Sequence, residues 1–392
     1  MTMIQYRPAF VTKYIRNSMK SINSIYIHFP ICRHLCNYCD FYKIKDPSLK
    51  SLNEFHDYLM KSINTSNQLL ISNNMCIDEI DSVYIGGGTP SLWAKDAYEF
   101  LPKFFTKLGI KLKNNCEFTF EVNPGSYRRE DILKLLDIGV NRFSVGLQTL
   151  NTNLITKIDR VHSIQDSFKT MNFFDSLNVN YSVDLMLGLP DSELFKRDLK
   201  KEIDDIVDFD PDHISVYILT TKSNYLHNSK LPNEQYIENE FKFVSDYLRS
   251  KGLTHYEVSN FSKKGSESFH NLQYWRNTSV LAFGPSATGF LNNGDVHLRY
   301  KWESKSPALK TEKLNKTQYE LEMLYLGLRT NRGLKYSDIF KGHKLKGFKQ
   351  LASVWDSSNL VEHLDESKII LNPSGFLVMD GLIDQVLSHG LM

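Results

Sequence analysis

The sequence predicts an α/β fold: an open, partial (β/α)6 barrel followed by a smaller, mostly helical C-terminal domain that resembles a winged helix. Two observations predict this fold. Short apolar runs rich in β-branched and aromatic residues alternate with helical patterns up to about residue 220, which is typical of right-handed βαβ units and a parallel sheet. After about residue 230 the alternation stops and a different pattern begins.

Six apolar runs predict the parallel strands, and most are followed by a helical pattern. Six units are too few for a closed eight-stranded barrel but suit a partial one. The predicted strands are SIYIHF (24–29), SVYIGG (82–87), CEFTFEV (116–122), RFSVGLQ (142–148), VNYSVDLMLGLP (179–190) and HISVYILT (213–220).

Unusual loops follow the first five predicted strands. In barrel folds the chemistry gathers on the loops after the carboxyl ends of the strands. We therefore expect these five loops to meet at one rim and to build a site there. They are the cysteine-rich segment 32–39, GGGTPS (86–91), EVNPGS (121–126), GLQT (146–149) and GLPD (188–191).

The last third of the chain predicts four features. A helix covers 234–250, and the polar, Lys-rich segment 301–317 has the composition of a linker. Further helices end in IILNPSGFLVMD (369–380), which predicts a strand, a turn and a second strand. We predict an N-terminal extension at 1–22, a barrel core at 23–255, a connecting region at 256–309 and a C-terminal domain at 310–392, whose role is a structural cap.

Composition excludes several classes of protein. The chain has 392 residues and a net charge of +2, and residues 310–392 hold eleven basic and ten acidic side chains. This balance argues against binding of nucleic acid. No apolar run reaches the roughly 20 residues that span a bilayer. The first twenty residues carry four basic and no acidic side chains. We predict a cytoplasmic protein, with a mitochondrial location as the alternative for a eukaryotic source.

The cysteines are concentrated in one loop. Three of the five, Cys32, Cys36 and Cys39, have the spacing C-x-x-x-C-x-x-C directly after the first predicted strand. Such a cluster can bind zinc or an iron–sulfur cube, or can act as a redox couple. Three thiolates hold three irons of a [4Fe–4S] cube and leave the fourth open for a chelating ligand such as S-adenosylmethionine. Cys76 and Cys116 are expected at the opposite end of the barrel, as inert thiols.

The motifs together resemble a known family. YIHFPICRHLCNYCDF, IGGGTPS, EVNPGS, GVNRFSVGLQTLN, DRVH and VDLMLGLP are similar to the radical S-adenosylmethionine superfamily, in its coproporphyrinogen dehydrogenase-like branch. The resemblance implies that Cys32, Cys36 and Cys39 bind the cube. It also implies contacts with one or two S-adenosylmethionine molecules at Tyr26, Tyr38, Gly87, Gly88, Thr89, Glu121, Gln148, Arg160 and Asp184.

One position separates two groups within this branch. The oxygen-independent coproporphyrinogen III oxidases carry a further cysteine two residues after the third ligand, where this chain has Phe41. With HNLQYW (270–275), the loop more closely resembles the HemW-type haem chaperones. That resemblance implies a haem contact at His270, Tyr274 and Trp275, because imidazole binds haem iron and aromatic rings stack on a porphyrin. Relatives tend to have a histidine near Thr288, which this chain lacks.

Three functions remain open at this point. The first is a haem chaperone that keeps a radical-enzyme cofactor site and passes haem to an acceptor protein. The second is the oxidase, and the third is a radical methyltransferase. The resemblance implies as partners haem or a porphyrin, a haem-accepting protein, and a reductant such as flavodoxin or ferredoxin. Transient contact with a membrane is compatible with it.

Overall fold

The computed structural model of the protein describes residues 19–392. Its strands are β1 (Lys20–Phe29), β2 (Ile31–Cys32), β3 (Ile44–Lys45), β4 (Met75–Gly87), β5 (Lys111–Val122), β6 (Arg142–Gln148), β7 (Asn180–Leu187), β8 (His213–Ile218), β9 (Thr254–Glu257), β10 (Asn260–Ser262), β11 (Leu281–Phe283), β12 (Thr288–Asn292), β13 (His297–Trp302), β14 (Leu309–Lys313), β15 (Leu334–Lys335), β16 (Val361–Leu364) and β17 (Lys368–Leu371).

The helices pack around these strands, and several begin at a side-chain cap. Ser163 begins the fifth helix through a capping box with Asp166, whose backbone N lies 3.2 Å from Ser163 Oγ, which satisfies backbone donors left free by the first turn. The helices are α1 (Leu49–Ser72), α2 (Ala94–Leu108), α3 (Arg129–Asp137), α4 (Thr152–Lys157), α5 (Ile164–Leu177), α6 (Leu199–Val207), α7 (Glu234–Ser250), α8 (Phe269–Trp275), α9 (Lys316–Gly327), α10 (Gly342–Ser357), α11 (Pro373–Leu377) and α12 (Met379–Ser388).

The predicted fold class is confirmed. The central sheet has nine strands in the order β11-β1-β4-β5-β6-β7-β8-β10-β9. The six predicted strands are β1, β4, β5, β6, β7 and β8, and all neighbours among them are parallel. Parallel β11 extends one edge, while antiparallel β10 and β9 extend the other. The sequence did not predict these edge strands.

The two faces of the sheet differ in polarity. The helical face buries apolar side chains, for example Phe143 on β6 against Phe174 on α5, with ring centroids 4.8 Å apart. The inner face carries polar side chains that bond to one another: Ser82 Oγ donates to Ser24 Oγ at 2.9 Å, and Ser182 Oγ lies 2.7 Å from His213 Nδ1. The barrel interior is therefore polar along much of its length.

Three of the predicted strands are longer than expected, and the one predicted at 24–29 begins at Lys20. The strand predicted at 82–87 begins at Met75, and the one predicted at 116–122 begins at Lys111. Cys76 therefore lies inside β4 rather than ahead of it. A register shift on β4 between Ile80 and Ser82 interrupts the alternation of apolar residues, which hid the first half of this strand from the sequence pattern.

The predicted linker at 301–317 is wrong. It contains the end of β13 and all of β14, which form a three-stranded antiparallel sheet with β12. On β13 the alternating residues Leu298, Tyr300 and Trp302 are buried, and Trp302 Nε1 donates to the carbonyl oxygen of Ala282 at 2.6 Å. The Lys-rich half is an exposed edge strand, where charged residues limit pairing with other chains.

The predicted strand–turn–strand at 369–380 is also wrong. The first strand is β17, but α11 begins directly after it, because Asn372 Oδ1 accepts a hydrogen bond from Gly375 N at 3.0 Å and Pro373 occupies the first turn. The hairpin of this region is instead β16–β17. With β15 it forms a small antiparallel sheet against α9–α12, which gives the additional C-terminal helical region.

Buried residues form two large hydrophobic clusters. One extends from Ile22 to Trp302 and the other from Leu324 to Leu391. A separate C-terminal domain remains a proposal, and its predicted boundary at 309/310 falls inside β14, which pairs with β13. The predicted extension at 1–22 lies mostly outside the described residues, and β1 begins at Lys20. Between residues 19 and 392, none of the helices has the length and apolar character needed to cross a bilayer.

Candidate metal and cofactor site

The cysteine loop is fixed at both ends by backbone pairing. Strands β2 and β3 are parallel neighbours, with Cys32 opposite Lys45, and Ile44 N donates to the carbonyl oxygen of Pro30 at 2.8 Å. Inside the loop, Cys39 N donates to the carbonyl oxygen of Cys36 at 3.3 Å. The ammonium group of Lys43 donates to the carbonyl oxygen of Cys39. The chain between β2 and β3 therefore forms a compact turn.

The three cysteines of this loop line one cavity of about 150 Å³. The loops after β4 and β5 complete its wall, as expected, together with residues beyond α4 from Arg160 onward, whereas the predicted loop GLQT after β6 does not line it. GLPD does not line it; its Asp191 pairs with Lys157 at 2.7 Å. Among the predicted cofactor positions, those that line this cavity are Tyr38, Gly88, Thr89 and Arg160.

The donor set suits an iron–sulfur cube better than a single ion. Three thiols line the cavity, which provides one thiolate for each of three irons but not the four protein ligands of a structural zinc site. A zinc site gathers its ligands around one centre, whereas a cube binds each thiolate to a different iron. Burial raises the pKa of the Cys32 thiol and of the Cys36 thiol, and the nearby Arg160 guanidinium opposes this rise at Cys36.

The glycine-rich turn after β4 is attached to its neighbours through backbone N–H groups. Gly87 N donates to Glu121 Oε2 at 3.0 Å, Gly88 N to the Phe29 carbonyl oxygen at 2.6 Å, and Thr89 N to that of Ile31 at 3.0 Å. Gly87 has φ +119°, and a Cβ there would lie 2.5 Å from the His28 ring, so only glycine is accommodated. The turn can therefore offer its carbonyl oxygens, but not these donors, to a cofactor.

Two carboxyl groups lie on the inner face below this turn. Tyr84 donates its hydroxyl hydrogen to Glu121 Oε1 at 2.9 Å, and Ser144 Oγ lies 3.2 Å from both carboxyl oxygens of Asp184. Burial raises the pKa of Glu121 to about 7 and that of Asp184 to about 6. The negative charge of Asp184 raises the pKa of Glu121 further. Both groups can accept hydrogen bonds from hydroxyl or ammonium groups.

Arg160 connects several loops of the site. Its Nη2 donates to Asn123 Oδ1 at 2.9 Å and to the carbonyl oxygen of Gly146 at 2.5 Å. Asn123 Nδ2 in turn donates to Thr89 Oγ1 at 3.2 Å. Gln148 has φ +73°, in a left-handed conformation that is uncommon for residues other than glycine and is often found at functional sites.

The two predicted tyrosines occupy different positions. Tyr38 lies in the cysteine loop and close to Arg160, and burial raises the pKa of the Tyr38 hydroxyl to about 12. Tyr26 is on the inner face of β1, and its hydroxyl oxygen lies 2.9 Å from His28 Nδ1. His28 Nε2 lies 2.8 Å from the carbonyl oxygen of Tyr42. His28 therefore links the barrel interior to the cysteine loop.

Three polar residues of this site were missed by the sequence reasoning. His28, Asn123 and Ser144 bond to predicted site residues, as described above, and thus orient them. Asn123 lies within the quoted motif EVNPGS and could have been selected there. His28 on β1 and Ser144 on β6 are buried polar residues outside the recognised loops, and only the alternation that places them on the polar inner face could have indicated them.

The aromatic motif lies on α8, away from the cysteines. His270 is 1% exposed, and its Nδ1 lies 2.9 Å from Ser82 Oγ. Ser82 precedes the glycine turn by five residues, which is roughly 16 Å along a strand. Burial lowers the pKa of His270 to about 3. Two of the aromatic side chains reach the surface: Tyr274 on α8 is 36% exposed and Phe41 on the cysteine loop is 68% exposed. The structure thus separates the sulfur site from the aromatic motif.

The remaining cysteines lie far from the cavity along their strands. Cys76 is the second residue of β4, whose last residue is Gly87. Cys116 is buried in β5, and its thiol contacts the carbonyl oxygen of Glu117 at 3.7 Å. That these two thiols are inert remains a prediction.

Comparisons with known proteins agree with the geometry. Residues 26–201 match the model of the radical SAM superfamily. The protein "Heme chaperone HemW" of Bacillus subtilis is 30% identical over 381 residues, which are 91% of this chain and 97% of that protein. Its counterpart in Buchnera aphidicola from Schizaphis graminum is 34% identical over 281 residues, 70% of this chain and 72% of its own.

A solved structure shows the same fold at lower sequence identity. Coproporphyrinogen III oxidase (HemN) from Escherichia coli, described as a radical SAM enzyme, superposes with a TM-score of 0.76 and 18% identity, over 98% of this chain and 94% of that one. The radical SAM superfamily implies a [4Fe–4S] cluster and S-adenosylmethionine. The chain belongs to the radical SAM superfamily and, within it, to the family of the HemW heme chaperones.

Proposed function

We propose that the protein is a haem chaperone, which binds haem together with a [4Fe–4S] cluster and S-adenosylmethionine and passes haem to an acceptor protein. The observation that carries this proposal is the alignment with the Bacillus subtilis heme chaperone over 97% of that protein's length. Phe41, at the position where the oxidases carry a further cysteine, supports it. The acceptor protein and a reductant such as flavodoxin or ferredoxin are proposed partners, and the cytoplasm is the proposed location.

The cavity residues have distinct proposed roles. Cys32, Cys36 and Cys39 hold three irons of the cluster, which when bound supplies an electron and an open iron. Glu121 and Asp184 accept hydrogen bonds from the ribose hydroxyls or the ammonium group of S-adenosylmethionine, because both are acceptors on the inner face. The other proposed contacts are Tyr26, Tyr38, Gly87, Gly88, Thr89, Gln148 and Arg160.

The carboxyl groups give a prediction about the cofactor. Glu121→Gln and Asp184→Asn should each weaken binding of S-adenosylmethionine about ten- to hundredfold, because a hydrogen bond to a charged group contributes about 1.5–3 kcal/mol. Iron content should not change, since neither side chain is a thiolate. The measurement is the shift in the electron paramagnetic spectrum of the reduced cluster as the cofactor is added. Glu130→Gln, on the exposed side of α3, is the matched control; equal binding in all four proteins would contradict the assignment.

The choice between chaperone and oxidase has a direct test. Haemin should bind near one to one with a shift of its Soret band. An anaerobic mixture of protein, S-adenosylmethionine, reductant and coproporphyrinogen III should yield no protoporphyrinogen IX. The proposed haem contacts are His270, Tyr274 and Trp275. His270→Ala should weaken haemin binding or alter its spectrum while the cluster remains, because His270 lies on α8 and outside the cysteine loop.

Repeated turnover of coproporphyrinogen III would favour the oxidase and overturn the chaperone proposal. Transfer of a methyl group from S-adenosylmethionine to an acceptor would instead favour the methyltransferase. Phe41→Cys alone should not produce oxidase activity, because the exposed Phe41 side chain is not among the residues that line the cysteine cavity.

A further inference from the structure

Two cavities flank the end of α8 where it meets the C-terminal domain. The larger has a volume of about 700 Å³ and the smaller about 290 Å³. Asn277 and Leu326 line both, so the two cavities are neighbours across a shared wall. Neither contains a cysteine of the metal site. The larger one has the volume of a typical small-molecule site.

The smaller cavity is surrounded by positive charge. Arg276, Arg332 and Lys335 line it together with one acidic residue, Asp338. None of the three cations takes part in any of the ion pairs found within residues 19–392. Partial burial and the charge of Arg332 both lower the pKa of the Arg276 guanidinium. Two guanidinium groups and one ammonium group therefore share a cavity wall with a single carboxylate, Asp338, and a bound anion would offset this excess of positive charge.

Unused hydrogen-bond donors lie in the same wall. Asn277 is 7% exposed, and its Nδ2 finds no acceptor among the described residues. The buried Nε1 of Trp275 likewise finds none there. A buried donor without an acceptor costs about 1–3 kcal/mol. Because these groups and the three cations all donate, the complementary ligand carries acceptor oxygens such as those of a carboxylate.

The larger cavity has the opposite character. Its walls include the apolar side chains of Phe290, Leu321 and Ile383. Its acidic residues outnumber the single Arg299, which is already paired with Glu312 and Glu322. An amphipathic anion would therefore place its apolar body in the larger cavity and its carboxylates toward the smaller one. The acidic residues are Glu312, Glu322, Asp380 and Asp384.

We propose that these two cavities form one binding site for haem, with the macrocycle in the larger cavity and the two propionates at Arg276, Arg332 and Lys335. This inference rests on the proposed function and assigns the place and orientation of the cargo. Haem is a flat apolar ring with two carboxylates on one edge, which matches the separation of charge between the cavities. Tyr274 of the aromatic motif lines the larger cavity and Trp275 the smaller. The buried His270 lines neither, and its ring lies against Tyr274 with centroids 5.5 Å apart, so its effect on this site would pass through Tyr274.

The test compares two ligands on the full-length protein. Haemin and haemin dimethyl ester, whose propionates are uncharged, are titrated while the Soret band is followed. The wild type should bind haemin at least about tenfold more tightly than the ester. Arg276→Gln and Arg332→Gln should each weaken haemin binding about ten- to hundredfold, the range of one charge-assisted hydrogen bond, and leave ester binding unchanged. Lys346→Gln, exposed on α10, is the control and should bind both ligands as the wild type does.

A variant in the larger cavity tests the position of the ring. Leu321→Gln should weaken both ligands about tenfold, with circular dichroism confirming that the variant is folded. Unchanged haemin binding in Arg276→Gln and Arg332→Gln would overturn the propionate site, and unchanged binding in Leu321→Gln would overturn the position of the ring. Stoichiometric haemin binding by the wild type would then leave the chaperone proposal intact. A wild type without haemin binding would overturn both proposals. If the protein binds inorganic phosphate but not haemin, and Arg276→Gln and Arg332→Gln lose this binding, the cavities form a site for a small anion instead of haem.

Discussion

Cys36→Ala should abolish the [4Fe–4S] cluster. Each cysteine of the loop is the only proposed protein ligand of one iron. Because the fourth iron has no protein thiolate, the variant would leave two of the four irons without one. Anaerobic reconstitution of the wild type should give about four irons per chain and broad visible absorbance. The variant should retain almost none of either, and Cys32→Ala and Cys39→Ala should behave in the same way. Iron content and the visible spectrum after desalting are the measurements.

The two remaining cysteines provide matched controls. Cys76→Ala and Cys116→Ala should reconstitute like the wild type, because these residues lie in β4 and β5 and do not line the cavity. A Cys36→Ala protein with a full cluster would show that the ligands have been assigned wrongly. Loss of the cluster in Cys76→Ala would show that a fourth protein thiolate is involved.

The second large effect concerns stability. Arg197→Met should lower the free energy of unfolding by about 3–5 kcal/mol, the usual cost of leaving a buried charge without its partner. The Arg197 side chain is fully buried, and its Nε lies 3.0 Å from Glu202 Oε1. Nη1 lies 3.8 Å from Glu240 Oε1 and donates to the carbonyl oxygen of Met186 at 2.7 Å. Removal of the guanidinium leaves two buried carboxylates facing each other.

This cluster also connects the loops that follow β6 and β7. Glu202 accepts hydrogen bonds from Thr149 Oγ1 and Leu150 N, and Glu240 accepts one from Gly188 N at 2.8 Å. Urea unfolding followed by circular dichroism measures the effect. The control is Lys200→Met, because Lys200 is 63% exposed and its ion pair with Asp204 should contribute less than about 1 kcal/mol. A loss of similar size in both variants would refute the role given to Arg197.

Local sequence patterns revealed the barrel because its strands are continuous apolar runs. They failed at two segments whose composition is typical of a loop. The segment 301–317 has the composition of a linker, yet Trp302 near its start is buried and donates a hydrogen bond to the carbonyl oxygen of Ala282 on β11. Asn372 and Pro373 look like a turn, but the asparagine oxygen caps a helix. In both cases packing or capping outweighed the composition that suggested a loop.

The candidate site also contains residues that the sequence indicated and residues that it did not. Cysteine spacing predicts that three thiols lie together, because the loop that carries them is short, and the resemblance to the family then assigns them to the cluster. Glu121 lies at the end of β5, whereas Asp184 lies inside β7, and both face the barrel interior below the rim. His28 and Ser144 act through partners on other elements. Their roles depend on the register between strands, which the local pattern does not contain.

The pairing of β2 with β3 has a consequence for the order of maturation. In small metal-dependent domains the ion organises the chain, so the polypeptide stays unfolded until it is loaded. Here the ends of the cysteine loop are joined by backbone hydrogen bonds that do not involve the thiols. The polypeptide can therefore complete its barrel first and receive iron and sulfide afterwards from an assembly system. Cluster loss through oxidation would then leave a folded apoprotein that can be reloaded rather than a chain that must be degraded.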